Sequence, residues 1–148
     1  VTFRQAFFKR AFDIAAGLAG SVIALNGRNA AQAVLDYIRE NDVLAHTHEM
    51  GEKLRKAMRD VASRHPQLAD VRGAGLFNGV EVVRPGTLEA DRPFAVRLIE
   101  QLRENRVLIS LCGPYGNVLK VRPPLVFDDA DLDFFASALE TSLEQLER

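Results

Sequence analysis

The chain has 148 residues, 47% of them hydrophobic and 26% charged, which is typical of one globular domain with a hydrophobic core. Its 19 lysines and arginines are balanced by 20 aspartates and glutamates, so nucleic-acid binding is not expected. A single cysteine, Cys112, excludes an internal disulfide and favours a reducing compartment, the cytoplasm. The histidines lack the spacing of zinc ligands, and we predict no metal site at His46, His48 or His65.

The first 28 residues are unusually apolar and have helical periodicity. From Ala11 to Leu25 the only charged residue is Asp13. The apolar run is shorter than the roughly 20 residues that span a bilayer, so we predict a helix of uncertain role that packs on a partner subunit or on another domain. The alternatives are a non-catalytic interaction domain that docks a partner through this helix, and a membrane-associated protein, although membrane association is not our expectation.

The stretch from residue 26 to residue 66 predicts a turn followed by two helices. Residues 26–29, Asn-Gly-Arg-Asn, are typical of a turn, and they separate an N-terminal segment (1–28) from a domain that comprises residues 29–148. The second helix is predicted to begin after a cap at Asn41 or Asp42 and to end before Pro66. Its basic residues are expected to lie mostly on the solvated face: Lys53, Arg55, Lys56, Arg59 and Arg64. The apolar stripes of the two helices are Ala30, Val34, Tyr37 and Ile38, then Val43, Met50, Leu54, Ala57, Met58 and Val61.

From Leu68 the periodicity changes from helical to strand-like. Residues 71–83 predict a short strand, a glycine crossing and a second strand of six to eight residues. The glycines of this stretch do not match a dinucleotide-binding fingerprint, because their spacing is wrong and no helix follows them. We expect them to allow a bulge or a close backbone approach. Residues 84–86, Arg-Pro-Gly, predict a turn.

A third helix is predicted to start at Asp91 or Arg92, with Pro93 in its first turn and Asn105 as a left-handed C-cap. A third strand is predicted over residues 107–110, Val-Leu-Ile-Ser. The inward face of the helix comprises Ala95, Leu98, Ile99 and Leu102.

A fourth strand is predicted over residues 118–122, directly before two prolines. Alternation places Lys120 and Arg122 on one face. Because proline has no N–H, strand pairing must end there or lie at a sheet edge, and Arg122 is the last polar side chain before the chain turns away. A guanidinium at a strand end can present its N–H donors to a carboxylate or a phosphate, whereas a surface ion pair is the structural alternative.

The last helix is predicted to begin after Asp128 as its cap, with Asp131 in its first turn. Its buried stripe comprises Leu132, Phe135, Leu139, Leu143 and Leu146. The order of elements is helices, two strands, a helix, two strands and a helix. This order predicts an α+β fold in which helices cover one face of a small, mostly antiparallel sheet.

Three stretches of sequence in this order resemble the C-terminal domain of the class III aminotransferases. They are Asp-Val-Arg-Gly-Ala-Gly-Leu-Phe-Asn-Gly-Val-Glu (70–81), Val-Leu-Ile-Ser (107–110) and Gly-Asn-Val-Leu-Lys-Val-Arg-Pro-Pro-Leu (116–125). The family comprises pyridoxal-phosphate enzymes of the aspartate-aminotransferase fold. The chain is most similar to the branch that contains alanine–glyoxylate aminotransferase-like proteins and phosphoethanolamine-type phospho-lyases.

The resemblance implies a function for one residue of this chain. Arg122 matches the arginine with which the family holds a substrate carboxylate. The Schiff-base lysine and the acid beside the pyridine nitrogen belong to a large domain that precedes this region in the family, so we expect no catalytic and no cofactor-binding residue here. Pyridoxal 5'-phosphate is expected in the full-length enzyme and not on this chain, which should be inactive alone. The expected partners are an amine or amino acid substrate and a second copy of the protein.

Overall fold

A computed structural model describes the backbone of residues 27–147 and the side chains of residues 31–147. Residues 1–26 of the predicted apolar segment (1–28) lie outside these described residues. The elements are α1 (Gly27–Glu40), α2 (Val43–Ala62), β1 (Leu68–Ala74), β2 (Phe77–Val82), α3 (Arg92–Glu104), β3 (Ser110–Cys112), β4 (Val118–Val121) and α4 (Asp129–Leu146). The predicted α+β fold is confirmed.

The four strands form one antiparallel sheet in the order β1-β2-β4-β3. Alternation along the strands separates its two faces. Val80 lies opposite Leu119, and both are buried on the face that packs against the helices. The core on this face comprises Val80, Val82, Leu119 and Val121 with residues of α2, α3 and α4 such as Leu54, Met58, Leu98, Leu102, Leu139 and Leu143. The opposite face carries Phe77, Gly79 and Glu81 of β2 and Lys120 of β4.

Two helix starts are capped by the aspartates that the sequence indicates. The carboxylate of Asp91 accepts a hydrogen bond of 2.9 Å from the backbone N–H of Phe94, and α3 carries a proline in its first turn. Asp128 and Asp131 form a reciprocal capping box at the start of α4. Each cap satisfies backbone donors that have no partner within the helix, so it determines where the helix begins.

The sequence placed two connections next to α1 and α2 incorrectly. Residues 27–29 are helical and not a turn, because the helix-favouring run Ala30-Ala31-Gln32 that follows extends α1 back to Gly27. Asp42 does precede α2, but its side chain makes no capping hydrogen bond. Its backbone is left-handed, with φ of 48°, because it reverses the chain between two helices, whereas side-chain capping needs an extended residue.

Two further corrections concern the segment between α3 and β3. The left-handed residue is Arg106, with φ of 67°, and not Asn105, whose side chain donates to Ser142 of α4. The third strand comprises Ser110–Cys112 instead of residues 107–110. The backbone N–H of Val107 donates a hydrogen bond to the carbonyl of Leu102 at the end of α3, so Val107 still belongs to the helix terminus. Because β4 ends at Val121, the residues before Ser110 have no strand to pair with.

The C-terminal ends of α2 and α4 are joined through a buried histidine. His65 is 4% exposed, and its Nδ1 lies 2.9 Å from Glu147 Oε1 while its Nε2 lies 3.2 Å from Glu140 Oε1. Carboxylates only accept hydrogen bonds, so both contacts are made only when both ring nitrogens are protonated. Burial lowers the pKa of His65, but the hydrogen bonds and charges of Glu147 and Glu140 outweigh burial and raise it above its usual range.

We expect the stability of the domain to fall as the pH rises through the raised pKa of His65. The protonated ring favours the folded state, so its contribution is fully present below about pH 6.5, the pKa of an unperturbed histidine. His65→Gln should flatten this dependence, as measured by urea unfolding between about pH 5.5 and pH 8.5. An unchanged slope in the variant would contradict the assignment.

Candidate functional site

One end of the sheet opens into a cavity of about 890 Å³. The end of β1, the start of β2, the end of β4 and the segment before β3 meet there, because neighbouring strands are antiparallel. The starts of α2 and α4 complete the wall. Most of the side chains are apolar, and the lining residues include Thr47, Ala74, Leu76, Phe77, Leu108, Ile109, Lys120, Arg122, Leu125, Phe127, Asp131, Phe134 and Phe135.

Arg122 follows the last residue of β4 and lies in the wall of this cavity. It is exposed, and its guanidinium carbon lies 4.7 Å from the centre of the Phe77 ring. Among the described residues, no carboxylate forms an ion pair with it. The surface ion pair that the sequence left open is therefore not seen within this part of the chain, and a cationic group faces the cavity.

The other charged groups of the cavity are Lys120 and Asp131. Lys120 lies on β4 opposite Gly79 and Ser110, two residues before Arg122. Asp131 belongs to the capping box of α4 and is engaged with the backbone there. The cavity therefore combines apolar walls with two cationic side chains, an arrangement that suits a small molecule with an apolar body and an anionic end.

The described residues of the cavity supply only part of what a pyridoxal-phosphate site needs. Such a site needs an amine for the Schiff base, an acid beside the ring nitrogen and donors for the phosphate. Of the lysines that the structure describes, only Lys120 lines the cavity, whereas Lys53 is held by Glu49 and Asp129. Asp131, the one described carboxylate of the lining, is committed to the helix cap.

The edge of the cavity between β1 and β2 depends on contacts that the sequence did not reveal. Arg55 was expected on the solvated face of α2, but it is 4% exposed. Its guanidinium donates 3.0 Å to the carbonyl of Gly75 and 2.8 Å to Asn78 Oδ1, and it pairs with Glu52. Gly75 has φ of 51°, a left-handed conformation that favours glycine. These hydrogen bonds hold the turn that leads into Phe77.

Phe77 was also missed, although alternation gives a signal for it. In β2 it shares a face with Gly79 and Glu81, whereas the core face carries Asn78, Val80 and Val82. A phenylalanine on the outward face of a strand, 59% exposed, is a large apolar surface without a core to fill. The ring lies against the guanidinium of Arg122, its neighbour across the sheet.

The histidines show no common site among the described residues, where no group of three potential metal ligands clusters. His46 Nε2 lies 3.0 Å from the carbonyl oxygen of Phe127, His48 is exposed, and His65 is bonded to glutamates. Within the same part of the chain, no helix has the length and hydropathy that crossing a membrane requires.

Comparison with known proteins agrees with the fold and with the resemblance read from the sequence. The chain is 34% identical over 145 residues to ethanolamine-phosphate phospho-lyase homolog 1 of Caenorhabditis elegans, which matches 92% of this chain and 31% of that protein. It is 33% identical over 128 residues to a 5-aminovalerate aminotransferase of Pseudomonas putida, covering 86% of this chain and 29% of the relative.

A solved structure is similar in three dimensions as well. A phospholyase from Arthrobacter in complex with phosphoethanolamine superposes with a TM-score of 0.73 at 40% identity, over 78% of this chain and 28% of that one. The chain thus spans less than a third of the length of these relatives. A family model described as aminotransferase class-III matches residues 20–143. The sequence, the fold and these matches together show that the chain belongs to the class III aminotransferases.

Proposed function

We propose that this chain is the C-terminal part of a pyridoxal-phosphate-dependent aminotransferase, in which it contributes one wall of the substrate pocket. Arg122 carries the proposal, because a guanidinium without a described carboxylate partner faces an apolar cavity at a sheet end. We expect that the chain does not catalyse by itself, because in the family the Schiff-base lysine and the acid beside the pyridine nitrogen belong to a large domain that precedes this region. The chain matches less than a third of each relative, which supports the proposal that other parts of the enzyme carry the cofactor site.

The substrate class follows from the charge of the wall. A planar guanidinium binds a carboxylate or a phosphate through two parallel N–H donors. The relatives are named for 5-aminovalerate and for ethanolamine phosphate, and each of these molecules has an amine at one end and an anionic group at the other. We propose a substrate of the same kind, whose anionic end is held by Arg122 while its amine reaches the cofactor in the rest of the enzyme.

The parent enzyme is further proposed to be a homo-oligomer of the cytoplasm. Apolar side chains of α1 and of the start of α2 are exposed in the described part of the chain, with Leu44 at 75%. A surface of this kind is typical of a protein–protein contact. It also favours the second candidate function, a non-catalytic interaction domain. Sedimentation velocity over micromolar concentrations tests the association, and a monomer at all concentrations would contradict it.

We expect Arg122→Lys to weaken the use of carboxylate-bearing amines in the full-length enzyme by on the order of 1.5–3 kcal/mol, the scale of a charged hydrogen bond. A lysine ammonium keeps the charge but cannot make two parallel hydrogen bonds. The measurement is kcat/KM for two amine donors, one with a carboxylate and one without a carboxylate or any other anionic group, in both proteins. An equal loss for both donors, or a loss explained by unfolding, would contradict the role of Arg122.

A product assay distinguishes nitrogen transfer from phosphate elimination. With a phosphorylated amine as the substrate, transfer converts the acceptor into an amino acid, whereas elimination releases inorganic phosphate. Arg122→Lys should reduce whichever product the wild-type enzyme forms, because the proposed role of Arg122 is to bind the anionic end in both reactions.

A further inference from the structure

We propose that Phe77 is a positioning residue for Arg122: its ring holds the guanidinium at the cavity wall and leaves the N–H donors free for an anionic ligand. This role deepens the proposed function and depends on it for the identity of the ligand, the anionic end of the substrate. The contact between the two residues stands on the geometry alone, since the guanidinium carbon lies 4.7 Å from the ring centre.

The sheet register brings the two side chains together. Asn78 pairs with Val121, so the next position along this antiparallel ladder places Phe77 beside Arg122. Both residues lie on the face away from the core, because Asn78 and Val121 are buried on the core face. Phe77 is also fixed from its other side, since it pairs with Ala74 of β1. A rigid backbone therefore carries the ring.

The way in which the guanidinium is held decides what it can still bind. A carboxylate partner would hold Arg122 by occupying its N–H groups, which are its only donors. A ring within about 6 Å attracts the cation through the negative face of its π system and occupies none of them. Among the described residues no carboxylate pairs with Arg122, so the aromatic contact orders the side chain without saturating it.

The backbone of Arg122 adds a second restriction. Pro123 has no N–H, and a proline restricts the residue before it to extended conformations. The backbone of Arg122 is therefore confined on its C-terminal side, and the ring of Phe77 confines the end of its side chain. A preorganised guanidinium loses less side-chain entropy when an anion binds, which increases affinity without a new contact.

The first test needs no ligand and uses the complete 148-residue chain, labelled with ¹⁵N. We expect the Nε–Hε group of Arg122 to show a ring-current shift and restricted motion in the wild type. Both should be lost in Phe77→Leu, which keeps an apolar side chain without a π face, and both should be retained in Phe77→Tyr. Leu88→Ala is the control, because Leu88 is an apolar side chain that is 91% exposed and lies outside the cavity lining. An Arg122 that is equally ordered in Phe77→Leu would overturn the proposal.

The second test measures binding of acetate, the simplest carboxylate, by titration of the same proteins. We expect Phe77→Leu to bind about two- to fivefold more weakly, the range of an exposed cation–π contact, whereas Phe77→Tyr and Leu88→Ala bind like the wild type. Unfolding midpoints of all variants should agree, since Phe77 lies outside the core.

A third variant separates the two proposals. If Arg122→Gln binds acetate as the wild type does, the carboxylate-binding role of Arg122 is wrong, while the ordering of Arg122 by Phe77 is still decided by the first test. If Arg122→Gln abolishes binding but Phe77→Leu has no effect on order or affinity, the role of Arg122 stands and the positioning role of Phe77 is wrong.

Discussion

Gly51→Ala is expected to destabilise the domain by about 3–4 kcal/mol, at the upper end of overpacking substitutions. The direction is opposite to the usual effect, since replacing glycine by alanine inside a helix normally stabilises it by up to about 1 kcal/mol. Gly51 lies in α2 where the helix crosses the turn between β1 and β2. A Cβ atom there would lie 2.2 Å from the carbonyl oxygen of Gly75 and 2.8 Å from its Cα. Both are backbone atoms, which cannot rotate away as a side chain can, so the helix or the turn would have to move.

The measurement is urea unfolding followed by far-UV circular dichroism. Lys56→Ala, an exposed change on the same helix, is the matched control and should alter the free energy of unfolding by no more than about 0.5 kcal/mol. Gly51→Ala should also disturb the Arg122 Nε–Hε signal, because the displaced turn leads directly into Phe77. An alanine variant as stable as the wild type would show that the close approach of α2 to the turn is wrong.

Arg55→Met is expected to cost about 3 kcal/mol, the range found when one partner of a buried ionic or hydrogen-bonded pair is removed. Methionine fills part of the space but donates nothing. Asn78 is buried, so its Oδ1 loses the donor that it had in Arg55 and cannot obtain water in exchange. The carbonyl of Gly75 keeps one donor, the side-chain amide of Asn78 at 3.1 Å, and this moderates the loss.

The matched control is Arg103→Met on α3, whose guanidinium is exposed and pairs with Glu100 and Glu104. Exposed pairs contribute little, so this variant should unfold nearly as the wild type does. In a double variant, Arg55→Met with Asn78→Leu, the two losses should not add, because the Asn78 Oδ1 acceptor that Arg55→Met strands is then absent, although the Gly75 carbonyl loses both of its side-chain donors. Additive losses in the double variant would argue against a shared hydrogen-bond network.

The sequence indicated most elements because their signals are local. Asp91 and Asp128 precede apolar periodic runs, and each caps the helix that follows by bonding to a backbone N–H within three residues. The alternation of Val118 to Val121 gave the strand and its faces for the same reason. The predicted end of pairing before Pro123 is likewise confirmed, since β4 ends at Val121 and proline offers no donor.

The sequence misplaced the connections because their geometry depends on distant residues. Asparagine often adopts the left-handed conformation at the end of a helix, but the side chain of Asn105 donates a hydrogen bond to Ser142, which lies 37 residues away. The third strand begins only where β4 offers a partner, at Ser110 opposite Lys120. A strand is defined by pairing, so its ends cannot be read from one strand alone.

For the candidate site, the sequence by itself determined the family, the order of the elements and the position of Arg122 at the end of a strand. Only the tertiary structure showed what surrounds Arg122, because sheet register brings Phe77 beside it from a strand about 45 residues earlier in the chain. The same holds for Arg55, because a charged side chain in a helical pattern is predicted to lie on the solvated face. Its burial is possible only because acceptors at Gly75 and Asn78 meet it where the helix crosses the turn, and a sequence pattern does not contain such a crossing.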